Sequence, residues 1–167
     1  RDYNKSIDDL YNYMLKNNTT GVPIVDKDKH FIGLITQKDI LKKSFYLEEA
    51  VLDTSYDNIL RVLNALALVR SDEEIKGKIH AVSFQHETFE NNVLLNNDDI
   101  IIVGDRHHII EYAIKSKVKL IIVVGSNSVK KEHIRLAKKN KVNIVRTPLR
   151  TFNVVKIIGM CNYAKTL

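Results

Sequence analysis

Apolar positions recur along this chain with two different periods, and each change of period marks an element. Ile7, Leu10, Tyr11 and Met14 stand three and four residues apart, which predicts an amphipathic helix from Ser6 to Lys16. Ser6 and Asp9 match a capping box at its start. The run NNTTG breaks the helix. VPIVD (22–26) reads as a strand, KDK as a tight turn, and HFIGLIT (30–36) as a second strand. A further helix runs from Gln37 to about Ser44. Residues 6–44 thus order as helix, strand, strand, helix.

Beyond this point the pattern changes. EEAVLDTSYD (48–57) reads as a linker or the entry to a helix, and NILRVLNAL (58–66) as that helix. KIHAVSF (78–84) alternates like a strand. From residue 99 apolar runs alternate with amphipathic segments. DIIIVG precedes a helix over 106–117, KLIIVVG (119–125) a helix over about 129–140, and NIVRT (143–147) a helix over 151–159. Continuous apolar strands between helices predict a parallel sheet covered on both faces. Gly104 and Gly125 each end a strand, where such a sheet exposes its loops. Pro23 and Pro148 sit beside strand ends, where a missing N–H is tolerated.

Composition narrows the class. A chain of 167 residues with 44% hydrophobic content can bury one ordinary domain or two small ones. No apolar run approaches the roughly 18 residues a membrane span needs. No signal pattern opens the chain, so membrane partners are not expected. The single cysteine, Cys161, excludes an internal disulfide and fits a cytoplasmic protein. The net charge of +6 hides a split: residues 1–114 carry 13 Lys/Arg against 19 Asp/Glu, and residues 115–167 carry 13 against one. The basic residues follow helix surfaces without interleaved aromatics, so they read as solvated faces rather than a nucleic-acid site. The chain opens without methionine and closes on CNYAKTL, which reads as an excised piece.

The chemistry concentrates in GLITQKDI (33–40). Thr36 and Asp39 fit a capping box, which needs only these two residue types. The same place can hold a ligand: a helix starts where a strand ends, so its N–H groups and positive dipole end face outward. An aspartate one turn in can accept hydrogen bonds from a ribose diol. Upstream, Thr20-Gly21-Val22-Pro23 offers a glycine beside an apolar strand, where a flat base can lie. Gly104-Asp105-Arg106 reads as a turn glycine, a helix N-cap and an exposed arginine. The six histidines, His30, His80, His86, His107, His108 and His133, show no metal spacing joined to carboxylates, so no metal site is expected. No nucleophile with a base at recognisable spacing appears, and no Walker loop.

GVPIVD, a turn and FIGLITQKDIL together resemble one CBS motif, the module named after cystathionine β-synthase. The resemblance implies that such motifs pair pseudo-symmetrically and hold adenine nucleotides between them. On that pattern Thr36 and Asp39 would meet phosphate and ribose, and Thr20, Gly21, Val22 and Pro23 would wall the base. With Lys38 they form the candidate nucleotide-binding set.

A second resemblance follows. IIIVGDR (100–106), AIKSKVKLIIVVG (113–125) and LAKKNKVNIVRTPLRTFNVVKII (136–158) are similar to the DRTGG domain. Two elements depart from that pattern: Val124-Gly125-Ser126 stands for Thr-Gly-Gly, and Arg150-Thr151-Phe152 for Asp-Thr/Ser-Phe. The order of the two modules resembles the regulatory insert of CBS-type, manganese-dependent family II inorganic pyrophosphatases. The expected α/β architecture is one CBS motif at 1–46, a DRTGG domain with a largely parallel, helix-covered sheet at 47–160, and the start of a further segment at 161–167. The resemblance implies a non-catalytic fragment that binds adenine nucleotides and forms a homodimer. Manganese would belong to the parent's catalytic part. The alternatives are the ligand-sensing part of a CBS/DRTGG transcription regulator and a DRTGG-bearing acetyl-phosphate enzyme.

Overall fold

The computed structural model describes residues 7–44, 51–82 and 94–165. The chain divides into two compact units, Arg1–Tyr46 and Leu47–Leu167.

The first unit contains α1 (Ile7–Lys16), β1 (Gly21–Val25), β2 (Phe31–Thr36) and α2 (Gln37–Ser44). Ser6, half of the expected capping box, lies outside the described residues. Asn18 ends α1 in the left-handed region at φ 49°, and the Thr19 amide donates to the Met14 carbonyl at 2.9 Å. This closes the helix as an αL terminator does. β1 and β2 form an antiparallel hairpin with Gly21 opposite Thr36, Val22 opposite Ile35 and Pro23 opposite Leu34. Asp26 organises the turn: its Oδ1 accepts from the amides of Asp28 at 2.9 Å and His30 at 2.8 Å. Tyr11, Met14, Val22 and Ile40 are buried. Phe31, Ile32 and Leu34 stay more than half exposed along β2.

The second unit contains β3 (Val51–Ser55), α3 (Tyr56–Val62), β4 (Leu66–Val69), β5 (Glu74–Ala81), β6 (Ile100–Val103), α4 (His107–Lys115), β7 (Leu120–Val123), α5 (Lys131–Asn140), β8 (Asn143–Arg146) and α6 (Thr151–Lys165). One six-stranded sheet runs in the order β3-β5-β6-β7-β8-β4. β5, β6, β7 and β8 are parallel neighbours, and the edges β3 and β4 add antiparallel. The sheet is therefore largely parallel. β6 and β7 are buried on both faces, as their unbroken apolar runs require. On one face Ile101, Val103, Ile121, Val123 and Ile144 join Ile109, Ile110, Ala113 and Ile114 of α4 and Ala137 of α5 in a single core cluster.

Several elements differ from the expectation. The stretch expected as a linker contains strand β3, because Leu52 turns inward while Val51, Asp53 and Ser55 face out and β5 supplies the ladder. The helix expected over 58–66 starts at Tyr56, where the Ser55 hydroxyl caps the Asn58 amide at 3.2 Å. Asn64 stops it at φ 47°, and Leu66–Val69 becomes a strand against β8. The strand expected at 78–84 begins at Glu74; Ser83 and Phe84 lie outside the described residues. The last helix runs on to Lys165.

Two long-range polar contacts fix these elements. The buried Tyr56 hydroxyl lies 2.9 Å from the Val69 carbonyl and 3.1 Å from that of Ile144, tying α3 to β4 and β8. Burial pushes its pKa up to about 12, against a smaller opposing pull from Arg70. The Asn143 amide, fully buried, accepts from the Ser71 and Asp72 amides and donates to the Lys119 carbonyl and the Asp72 carboxylate. All four of its hydrogen-bonding directions are thereby used.

Candidate functional site

The hairpin register brings the two halves of the candidate set together. Gly21 lies directly across from Thr36, so the Thr20–Pro23 stretch borders the start of α2. The Gln37 amide donates to the Thr20 carbonyl at 3.0 Å, and the Gln37 side chain reaches the Thr19 carbonyl at 3.4 Å. The Thr19 hydroxyl donates to the Gly21 carbonyl at 2.9 Å. A methyl group on Gly21 would meet Leu34 Cδ1 at 3.3 Å, so a side chain there would crowd the hairpin. Thr20, Pro23, Lys38 and Asp39 are exposed, whereas the Val22 side chain is buried in the unit's core. Val22 therefore borders the site through its backbone.

At the head of α2 the capping box is formed. The Thr36 amide donates to Asp39 Oδ2 at 2.9 Å, and the Thr36 hydroxyl donates to the same oxygen at 2.6 Å. In return the Asp39 amide donates to the Thr36 hydroxyl oxygen at 3.2 Å. This reciprocal pair satisfies two N–H groups that the helix start leaves without intrahelical partners. It also fixes a carboxylate and a hydroxyl side by side on an exposed edge. A diol can meet such a carboxylate, and an anion can approach the positive end of α2.

The second unit offers less. The N-cap of α4 is Arg106, without a side-chain cap hydrogen bond, so Asp105 does not take the capping role expected for it. Gly125 and Ser126 both adopt positive φ, at 67° and 56°. Their amides donate to the carbonyls of Leu149 and Thr147 at 2.8 and 3.0 Å. Those two donors are committed to the neighbouring loop and do not cradle an anion.

Among the described residues, the ligand atoms of Asp26, Asp28 and His30 lie within 4.8 Å of one another. The hairpin turn accounts for this cluster, since Asp26 is engaged by two amides and lies 3.3 Å from His30 Nδ1. Among the described residues no helix is long and apolar enough to cross a membrane.

Comparison with known proteins follows the division into units. The family model of the DRTGG domain matches residues 58–161, more than half of the chain. The chain belongs to the DRTGG domain family. Ahead of the DRTGG region, residues 2–46 match the CBS domain. The chain is 32% identical over 157 residues to the cobalt-dependent inorganic pyrophosphatase of Clostridium perfringens, covering 89% of this chain and 28% of that protein. It is 28% identical over 149 residues to a probable manganese-dependent inorganic pyrophosphatase of Thermotoga maritima, covering 83% of this chain and 26% of that protein. The chain thus spans about a quarter of the length of these relatives. A crystal structure of the CBS and DRTGG domains from the regulatory region of the Clostridium perfringens pyrophosphatase, complexed with its activator diadenosine tetraphosphate, superposes with a TM-score of 0.57 at 31% identity. The match covers 92% of this chain and 68% of that one. The CBS–DRTGG order expected from the sequence is the order of the two family matches along this chain.

Proposed function

We propose that this chain is the nucleotide-sensing part of a metal-dependent inorganic pyrophosphatase, and that it takes adenine nucleotides at the edge between β1 and the start of α2. Thr20, Gly21, Val22 and Pro23 border the base, Thr36 and Lys38 meet phosphate, and Asp39 holds ribose hydroxyls. Residues 1–46 act as one half of a CBS pair, 47–160 as the DRTGG domain, and 161–167 begin the next segment. The cobalt or manganese of the relatives would serve a catalytic part that this chain does not supply. The protein works in the cytoplasm as a homodimer.

The observation that carries this reading is the Gly21–Thr36 register, which places the Thr20–Pro23 edge beside the Thr36–Asp39 pair. The regulatory region of the Clostridium perfringens pyrophosphatase, bound to a dinucleotide activator, supports the ligand class. Calorimetric titration with AMP, ADP, ATP and diadenosine tetraphosphate tests it. Saturable binding of at least one is expected. No binding of any of them, by this chain and by the whole protein alike, contradicts the proposal.

A further inference from the structure

Helices α4 and α5 lie side by side on one face of the sheet, and cations collect along α5 and where both helices end. His107 opens α4 and His133 lies in the first turn of α5, with ring centres 6.2 Å apart, so the helices start level. They also end level. The Asn143 amide donates to the Lys119 carbonyl at 3.3 Å, so the segments leaving both helices run together. Lys131, Arg135, Lys138 and Lys139 are exposed and share one stripe of α5, opposite the buried His133 and Ala137. Lys117 and Lys141, also exposed, stand at the two helix ends and extend the patch. Lys115 and Lys119 are held by Glu111 at 2.6 Å and by Asp72 at 3.5 Å. None of the other six pairs with an acid among the described residues.

Helix stability does not account for the patch. Lys138 and Lys139 suit the negative end of the α5 dipole, but Lys130 and Lys131 stand at its N-cap and first position, where the dipole disfavours cations. Lys117 and Lys141 adopt φ of 55° and 56°, where Gly or Asn is the usual residue after a helix. A solvated helix face ordinarily carries both signs. Here Glu132 is the one acid between residues 115 and 167. We propose that this face binds double-stranded DNA through its phosphates, without reading sequence and independently of the nucleotide site. No large apolar side chain is exposed among the described residues of 115–141. The patch is therefore unlike the core of a protein interface, where lysine is depleted, and lacks the apolar stripe of a helix lying in a membrane. Its missing aromatics argue against stacking on single-stranded bases. A duplex held by its phosphates needs no aromatics, and it presents one negative charge per roughly 1.7 Å of axis. The stripe along α5 spans about 15 Å, which together with the end lysines can meet about four to five phosphates.

The test is fluorescence anisotropy with the tag-free chain and labelled duplex DNA of two unrelated sequences. Both duplexes should bind alike, and affinity should fall roughly 100- to 500-fold between about 50 and 200 mM salt, the slope of about four to five phosphate contacts. Lys131→Ala, Arg135→Ala and Lys138→Ala combined remove exposed side chains only. That variant should lose at least about half of the salt slope, with an unchanged far-UV spectrum and unfolding temperature. The same loss of charge elsewhere, through Lys16→Ala, Lys27→Ala and Lys76→Ala combined, should leave the slope unaltered. No saturable binding at about 50 mM salt, or an equal loss in the two triple variants, would overturn the proposal. So would a strong preference for one duplex sequence, or tighter binding to single-stranded DNA or to phosphatidylserine vesicles at equal phosphate.

Discussion

Tyr56 shows how one side chain can set the stability of the larger unit. Its ring is buried and its hydroxyl serves two carbonyls far apart in sequence. Arg70 lies over the ring, 4.8 Å from its centre, and is itself tied to Asp57 and Glu73. Tyr56→Phe keeps the packing and leaves both carbonyls short of a donor, which should cost about 1–2 kcal/mol in denaturant unfolding. The pKa near 12 adds a dependence on pH. A phenol whose folded pKa is raised contributes full stability below its unfolded value near 10, and loses it as pH rises towards 12. The loss should reach about 2–3 kcal/mol at two pKa units. Unfolding measured from pH 9 to 12 should therefore fall more steeply for the unsubstituted chain than for Tyr56→Phe. Parallel curves would show that Tyr56 does not carry the alkaline loss.

Among the elements, β5 tolerates least change. Gly77 sits where a methyl group would come within 1.5 Å of the Asp98 carbonyl oxygen, and backbone cannot give way there as a flexible side chain could. Gly77→Ala should cost about 3 kcal/mol or more by displacing β5 or the approach to β6, beyond the usual range for overpacking. A loss below 1 kcal/mol in urea unfolding would show that the strand shifts freely. The elements also show where sequence reasoning succeeded. The first unit was legible nearly to the residue, because its hairpin and capping signals are local: Thr36 and Asp39 stand three apart and bond to each other. The buried strands β6 and β7 were legible from their apolar runs. Strands β3 and β4 were not, because their pairing comes from β5 and β8, and LALV alone reads equally as more helix.

For the whole molecule, the exposed apolar row Phe31, Ile32 and Leu34 has no cover among the described residues of its own unit. So small a unit gains much of its stability from buried apolar area. We expect two copies to associate about a two-fold axis, through the first units or the DRTGG units. Light scattering at micromolar concentration should report a dimer, and a monomer would count against it. The central claim concerns what the head of α2 does, since Thr36 and Asp39 already satisfy each other as a cap. A cap alone predicts that Asp39→Asn costs about 0.5–1 kcal/mol of stability and nothing in affinity. A cap that also holds ribose predicts the loss of charge-assisted hydrogen bonds worth roughly 1.5–3 kcal/mol. The most direct measurement is calorimetric titration of AMP into the whole protein, with and without Asp39→Asn. Affinity should fall about 10- to 100-fold, beyond the loss of about 0.5–1 kcal/mol in stability that the cap alone predicts. Equal affinity in the two proteins would mean that this stretch only caps its helix.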